Sequence, residues 1–112
     1  MLPDTSKHLI DILAAAADIK AFILGYDLAT YRNDAKCRAA VERKLEIIGE
    51  ACSRIRNEDP NAFNHMPYGN QVIGLRNRVI HGYDSVDDAI IWDVASDKLT
   101  AFVLEVEALA SS

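Results

Sequence analysis

The sequence predicts an all-α fold, an antiparallel four-helix-type bundle, on three observations. Half of the 112 residues are apolar and 16 are alanine, against 5 glycines and 3 prolines. That balance favours helix over a turn-rich sheet and excludes disorder and collagen-like repeats. Four segments repeat apolar residues at the three- and four-residue spacing of a helix face, and none shows the two-residue alternation of a strand. A chain of 112 residues is long enough for a core and short for two, so residues 1–112 are expected to form one helical domain.

The first helix is expected from Leu9, Ile12, Leu13, Ala16, Ile19 and Ile23, with Asp4, Thr5 and Ser6 as candidate N-caps and an end near Gly25. Ala14 to Ala17 within it suit a close helix contact. The second runs from about Asp34 to Arg56 through Cys37, Val41, Leu45, Ile48, Cys52 and Ile55. Gly49 inside it costs about 1 kcal/mol relative to alanine, which close approach of another helix explains. Residues 57–70, with two prolines, a glycine and four asparagines, read as a connecting loop. A short third helix follows, from Pro67 or Asn70 to His81, with Gly82 at its C-cap. Asp87 and Asp88 open the last, whose core face is Ile91, Val94, Leu99, Phe102, Val106 and Leu109.

The net charge is −5, with 12 basic and 17 acidic residues, which disfavours wide sequence-independent coating of nucleic acid. The charge is unevenly spread: residues 32–56 sum to +3 and 71–83 to +2, whereas 84–112 sum to −6. Room is left for a small cleft with few phosphate contacts. No apolar run approaches the ~18 residues of a membrane span, and the opening MLPDTSKHLID lacks the layout of a signal peptide. A cytoplasmic protein without a membrane partner is expected. Cys37 and Cys52 would stand roughly 22 Å apart along one helix, too far for a disulfide, and read as buried thiols. His8, His65, His81 and the two cysteines show no paired zinc-ligand spacing, so no metal site is expected. Neither a glycine-rich phosphate loop nor a G-x-S-x-G motif occurs, and the chain is not expected to bind a cofactor by itself.

One position departs from the bundle pattern. At 100° per residue Arg76 falls within about 60° of Val72, Ile73, Val79 and Ile80, in the middle of the apolar face of the third helix. A guanidinium taken from water needs an anionic partner, either a carboxylate such as Glu50 or a bound phosphate. His81, at the helix end, reads as a C-terminal cap or as a general acid and base near neutrality. On a regular helix it points about 140° away from Arg76. The two converge only if the last turn unwinds or two copies of the chain meet. Asn77 can orient the imidazole or a ligand, and Tyr83 either packs or presents its hydroxyl. Lys36, Arg43 and Arg54 lie within about 20° of each other on the second helix, as an RNA track, a partner-docking face or a plain solvated face.

The segment IGLRNRVIHGYDSVD, with Arg76, Asn77, His81 and Tyr83 in the pattern Arg, four residues, His, one residue, Tyr, resembles the HepT-like family of the HEPN superfamily. AAVERKLEIIGEACSRI upstream, including Gly49, Glu50 and Ala51, and Trp92 downstream look like that family too. The resemblance implies a homodimer in which two motifs face one cleft, acting on an RNA substrate as a metal-independent endoribonuclease toxin. Arg76 and His81 would be catalytic and Asn77 supporting; independently of the resemblance, Lys36, Arg43, Arg54 and Arg78 are the basic residues expected to be available to RNA. It further implies an MntA-like minimal nucleotidyltransferase as antitoxin, which uses ATP and Mg to place AMP on Tyr83. Such chains have also been described as the non-catalytic, substrate-binding subunit of a nucleotidyltransferase.

Overall fold

Pro3 opens the first helix because its fixed φ suits a helical first position and its missing N–H would have had no partner there. In the computed structural model, which describes residues 1–80 and 87–112 apart from the side chain of Ile80, helix is the regular structure throughout the described residues. Helix α1 spans Pro3–Phe22 with Leu2 as its N-cap. The expected caps Asp4, Thr5 and Ser6 thus lie inside the first turn. The Thr5 hydroxyl donates instead to Asp59 Oδ2 at 2.8 Å. After Ile23 the chain turns at Gly25, whose φ of 80° is a left-handed value that glycine adopts freely.

A short helix α2, Leu28–Arg32, follows where none was expected. Asp27 starts it by accepting from the Thr30 backbone N–H at 2.8 Å. Tyr31 makes it worth forming: its ring is wholly buried against Trp92, with centroids 5.5 Å apart. Helix α3, Ala35–Glu58, is capped by Asp34, which accepts from the Cys37 backbone N–H at 2.9 Å. Its stripe of Cys37, Val41, Leu45, Ile48, Cys52 and Ile55 is buried as the spacing predicts, and both cysteines are free thiols.

The segment expected as a loop over 57–70 is partly helical. Asp59 ends α3 and caps α4, Pro60–Phe63, by accepting from the Ala62 N–H at 3.3 Å. Its other oxygen takes the Thr5 hydroxyl and, at 3.2 Å, the Leu2 N–H. This buried carboxylate therefore ties the start of α1 to the end of α3. Helix α5 is Gly69–Ile80; the expected end at His81 and the cap at Gly82 lie outside the described residues.

The last helix is three pieces in line: α6, Asp88–Asp93, capped by Asp87, a π-helical turn at Val94–Lys98, and α7, Leu99–Ala110. The buried positions explain the π turn. Ile91, Ala95 and Leu99 are spaced by four, a drift of about 80° on a regular helix, which one wider turn takes up. Ala95, not the expected Val94, consequently occupies the core position, and Val94 is half-buried.

Helix α3 is central. It packs along α1 on one side and α5 on the other, and α7 closes over α1. One cluster of buried side chains joins all four. Only Ala15 and Ala16 of the alanine run face it. Among the described residues no helix is long and apolar enough to cross a membrane.

Candidate functional site

The site begins at a crossing of two helices. Gly49 is buried in α3 where α5 passes, and a Cβ built on it would stand 2.2 Å from Arg76 Cβ and 2.6 Å from Arg76 Cγ. Only glycine lets the two backbones come this close. The arginine stem lies flat on that glycine, which explains how a charged residue occupies an apolar face: its methylenes are packed while its head reaches the edge of the helix pair.

The head is held by carboxylate. Arg76 Nη2 donates to Glu50 Oε2 at 2.8 Å, Nη1 donates to Asn77 Oδ1 at 3.1 Å, and buried Nε has no partner among the described residues. Of the two anionic partners the sequence left open for Arg76, the structure therefore provides the carboxylate, on Glu50. Glu50 serves two cations at once, since its Oε1 accepts from Arg54 Nε at 3.1 Å. One negative charge between two guanidiniums leaves a net positive pair with several unused N–H donors. A second link, Arg56 Nη1 to Asn70 Oδ1 at 3.2 Å, fixes the start of α5 to the end of α3.

The ion pair is not sealed. Arg76 keeps 25% of its side-chain surface exposed and Glu50 44%, and both line a cleft of about 650 Å³ between α1 and α3. Arg43 and Arg54 line it from α3, and Lys7, His8 and Asp11 from α1. Of the four cations expected along an RNA path, the cleft brings Arg43 and Arg54 to Arg76; Lys36 and Arg78 are exposed on α3 and α5 and do not line it. His81 and Tyr83 lie outside the described residues. Lys7 and His8 were missed by sequence reading, because they sit on a helix whose periodicity signals only its buried side. Among the described residues no three His, Cys, Asp or Glu side chains gather so as to hold a metal.

Chemically, the arrangement offers a guanidinium fixed in direction, a neutral amide beside it, and further cations along an open groove. Fixed N–H donors of this kind bind phosphate or carboxylate oxygens with directional, charge-assisted bonds.

Comparison with known proteins adds a family. The profile of the family described as "Ribonuclease HepT-like" matches residues 12–109. "Putative RNase MJ1380" of Methanocaldococcus jannaschii is 36% identical over 104 residues, covering 93% of this chain and 94% of that protein. "Putative RNase MJ0125" of the same organism is 32% identical, over 93% of this chain and 89% of its own length. "Probable ribonuclease HepT" of Thermococcus cleftensis is 29% identical, over 91% and 92% of the two chains. No solved structure matches.

Proposed function

The chain belongs to the HepT-like ribonuclease family, and from that membership we propose that it is a metal-independent endoribonuclease toxin whose active site forms in a homodimer. The observation that supports this most is the Arg76 guanidinium, anchored on Gly49, aimed by Glu50 and open to a cleft. In RNA cleavage without a metal, the 2′-oxygen bonds to the adjacent phosphorus and the bond from phosphorus to the 5′-oxygen breaks. The attacking hydroxyl must lose a proton and the leaving oxygen must gain one. His81, present twice in a dimer, fills both roles. Arg76 neutralises the oxygens of the pentavalent transition state, and Asn77 positions either the guanidinium or the phosphate.

Regulation follows from Tyr83. A partner nucleotidyltransferase of the MntA-like kind, working with ATP and Mg, joins the tyrosine oxygen to the α-phosphorus and releases pyrophosphate. The added phosphodiester would bring negative charge and bulk to the motif that carries Arg76 and His81, and so repel substrate phosphate. Such a pair is a toxin–antitoxin system of the cytoplasm.

A second reading has an observation in its favour: Arg76 already has a carboxylate partner in Glu50. If that pair only staples α3 to α5, the chain is a non-catalytic subunit that docks a nucleotidyltransferase. One assay separates them. Purified protein incubated with RNA in EDTA is expected to cut it, and His81→Ala and Arg76→Ala to abolish cutting while remaining folded. Intact RNA with wild-type protein selects the docking subunit. After co-expression with an MntA-like nucleotidyltransferase, intact mass is expected to rise by whole AMP units, and Tyr83→Phe to prevent this.

A further inference from the structure

The cleft contains more cationic surface than the reaction at Arg76 uses. Lys7, His8 and Asp11 line it from α1, and Arg43, Glu46, Glu50 and Arg54 from α3. Lys7 stands 3.9 Å from Asp11 and Arg43 stands 3.6 Å from Glu46, separations too long for hydrogen bonds, and the two cations are 74% and 68% exposed. Loose pairs of this kind exchange for another anion at little cost. Among the described residues three buried polar side-chain atoms lack a hydrogen-bond partner, and two of them, His8 Nε2 and Arg76 Nε, are on residues that line this cleft. His8 Nε2 lies 3.5 Å from Glu58 Oε1 without bonding it. With Arg76 counted, four cationic side chains line the cleft against three carboxylates, Asp11, Glu46 and Glu50, an excess of one charge in a chain whose net charge is −5. The excess of positive charge is local and lies in a groove.

We propose that Lys7 and His8 of α1, with Arg43 and Arg54 of α3, form a binding subsite for backbone phosphates of single-stranded RNA flanking the phosphate at Arg76. Arg43 and Arg54 are separated by about 16 Å of helix axis, room for more than one phosphate along the groove. A groove walled by two helices admits a strand that can thread between them, and flexible Lys and Arg heads track a backbone without reading bases. The subsite rests on the ribonuclease reading for the identity of its ligand. It adds α1 to the substrate path and makes substrate length matter.

The probe is a 2′-O-methyl RNA oligonucleotide, which lacks the attacking hydroxyl and is therefore bound but not cut. Fluorescence anisotropy across a salt series is expected to show the Lys7→Ala/Arg43→Ala double variant binding about ten-fold more weakly at low salt, with a log–log salt slope shallower by about 0.7 per lost phosphate contact. Both side chains are exposed, so folding is expected to be unaffected by circular dichroism. Lys20→Ala removes one charge from α1 outside the cleft and is expected to match wild type. Wild-type affinity and slope in the double variant overturn the subsite, as does absence of binding by the wild type. Loss of nucleotidyltransferase binding in the double variant with RNA affinity retained also overturns it, and makes the groove a polypeptide site. If the wild type cuts RNA while the double variant binds normally, the subsite falls and the ribonuclease reading stands. If the double variant binds weakly while the wild type cuts no RNA, the subsite stands and the ribonuclease reading falls.

Discussion

The side chain of Arg76 rests directly on Gly49, so closely that a methyl group on residue 49 would lie 2.2 Å from the arginine's Cβ. Two effects of Gly49→Ala compete. Alanine gains about 1 kcal/mol in helix propensity, while overpacking costs about 1–3 kcal/mol. The obstructing atom is a Cβ fixed to the α5 backbone, so it cannot swing aside and the helices must part. Net destabilisation is expected, read as a melting temperature lower by several degrees, with RNA cleavage falling further because Arg76 moves with α5.

Arg76→Lys tests whether charge alone suffices. Removing one transition-state donor from a preorganised site costs about 10²–10³-fold in turnover, and lysine is expected to recover little of it because an ammonium cannot offer two parallel N–H bonds. Folding is expected to survive either Arg76→Lys or Arg76→Ala, since Glu50 keeps Arg54 as partner. Single-turnover cleavage rates beside matched circular dichroism spectra check this. A lysine variant as fast as wild type removes the bidentate role.

Asp59 makes stability pH-dependent. The Thr5 hydroxyl first, then the Leu2 N–H, hold its carboxyl below the usual carboxylate range. A depressed folded pKa stabilises the fold above the unfolded value of about 3.9 and loses that contribution as pH falls through the folded one. Asp59→Asn is therefore expected to melt earlier than wild type at neutral pH. The two melting curves, plotted against pH, are expected to converge toward the acid end, and a constant gap at every pH refutes the linkage.

Burial pushes the Cys52 thiol up to about 12, and raises Cys37 as well. Thiolate is the reactive form. Native protein is expected to react with a disulfide reagent at neutral pH only as fast as it opens, and both thiols to react at once in denaturant. Immediate labelling of Cys52 in the native state contradicts its placement.

The long helices and their buried faces were legible in the sequence because each is a sustained three- to four-residue repeat, and the close approach at Gly49 was legible because glycine is costly mid-helix. Helices α2 and α4 were not, since one turn of chain is too short to show a period; the caps Asp27 and Asp59 with Pro60 were the available signals. The π turn escaped because regular periodicity puts Val94 where Ala95 lies. At the site, Arg76 stood out as a charge on an apolar stripe and Glu50 was a foreseeable partner. The sharing of Glu50 with Arg54, and the wall of Lys7 and His8, depend on how α1 is rotated against α3, which tertiary packing sets.

If Arg76 binds phosphate as proposed, Glu50 makes that binding an ion exchange. The resident carboxylate holds the guanidinium at 2.8 Å, so an incoming anion must displace it or share the arginine with it. A lone small anion has little advantage over this tethered competitor. A polyanion gripped elsewhere along the groove does, because the remaining phosphates then meet Arg76 at the high effective concentration of a multivalent ligand. On the proposed reading the pair would act as a threshold that discriminates by valency, turning away single phosphates and yielding to a strand.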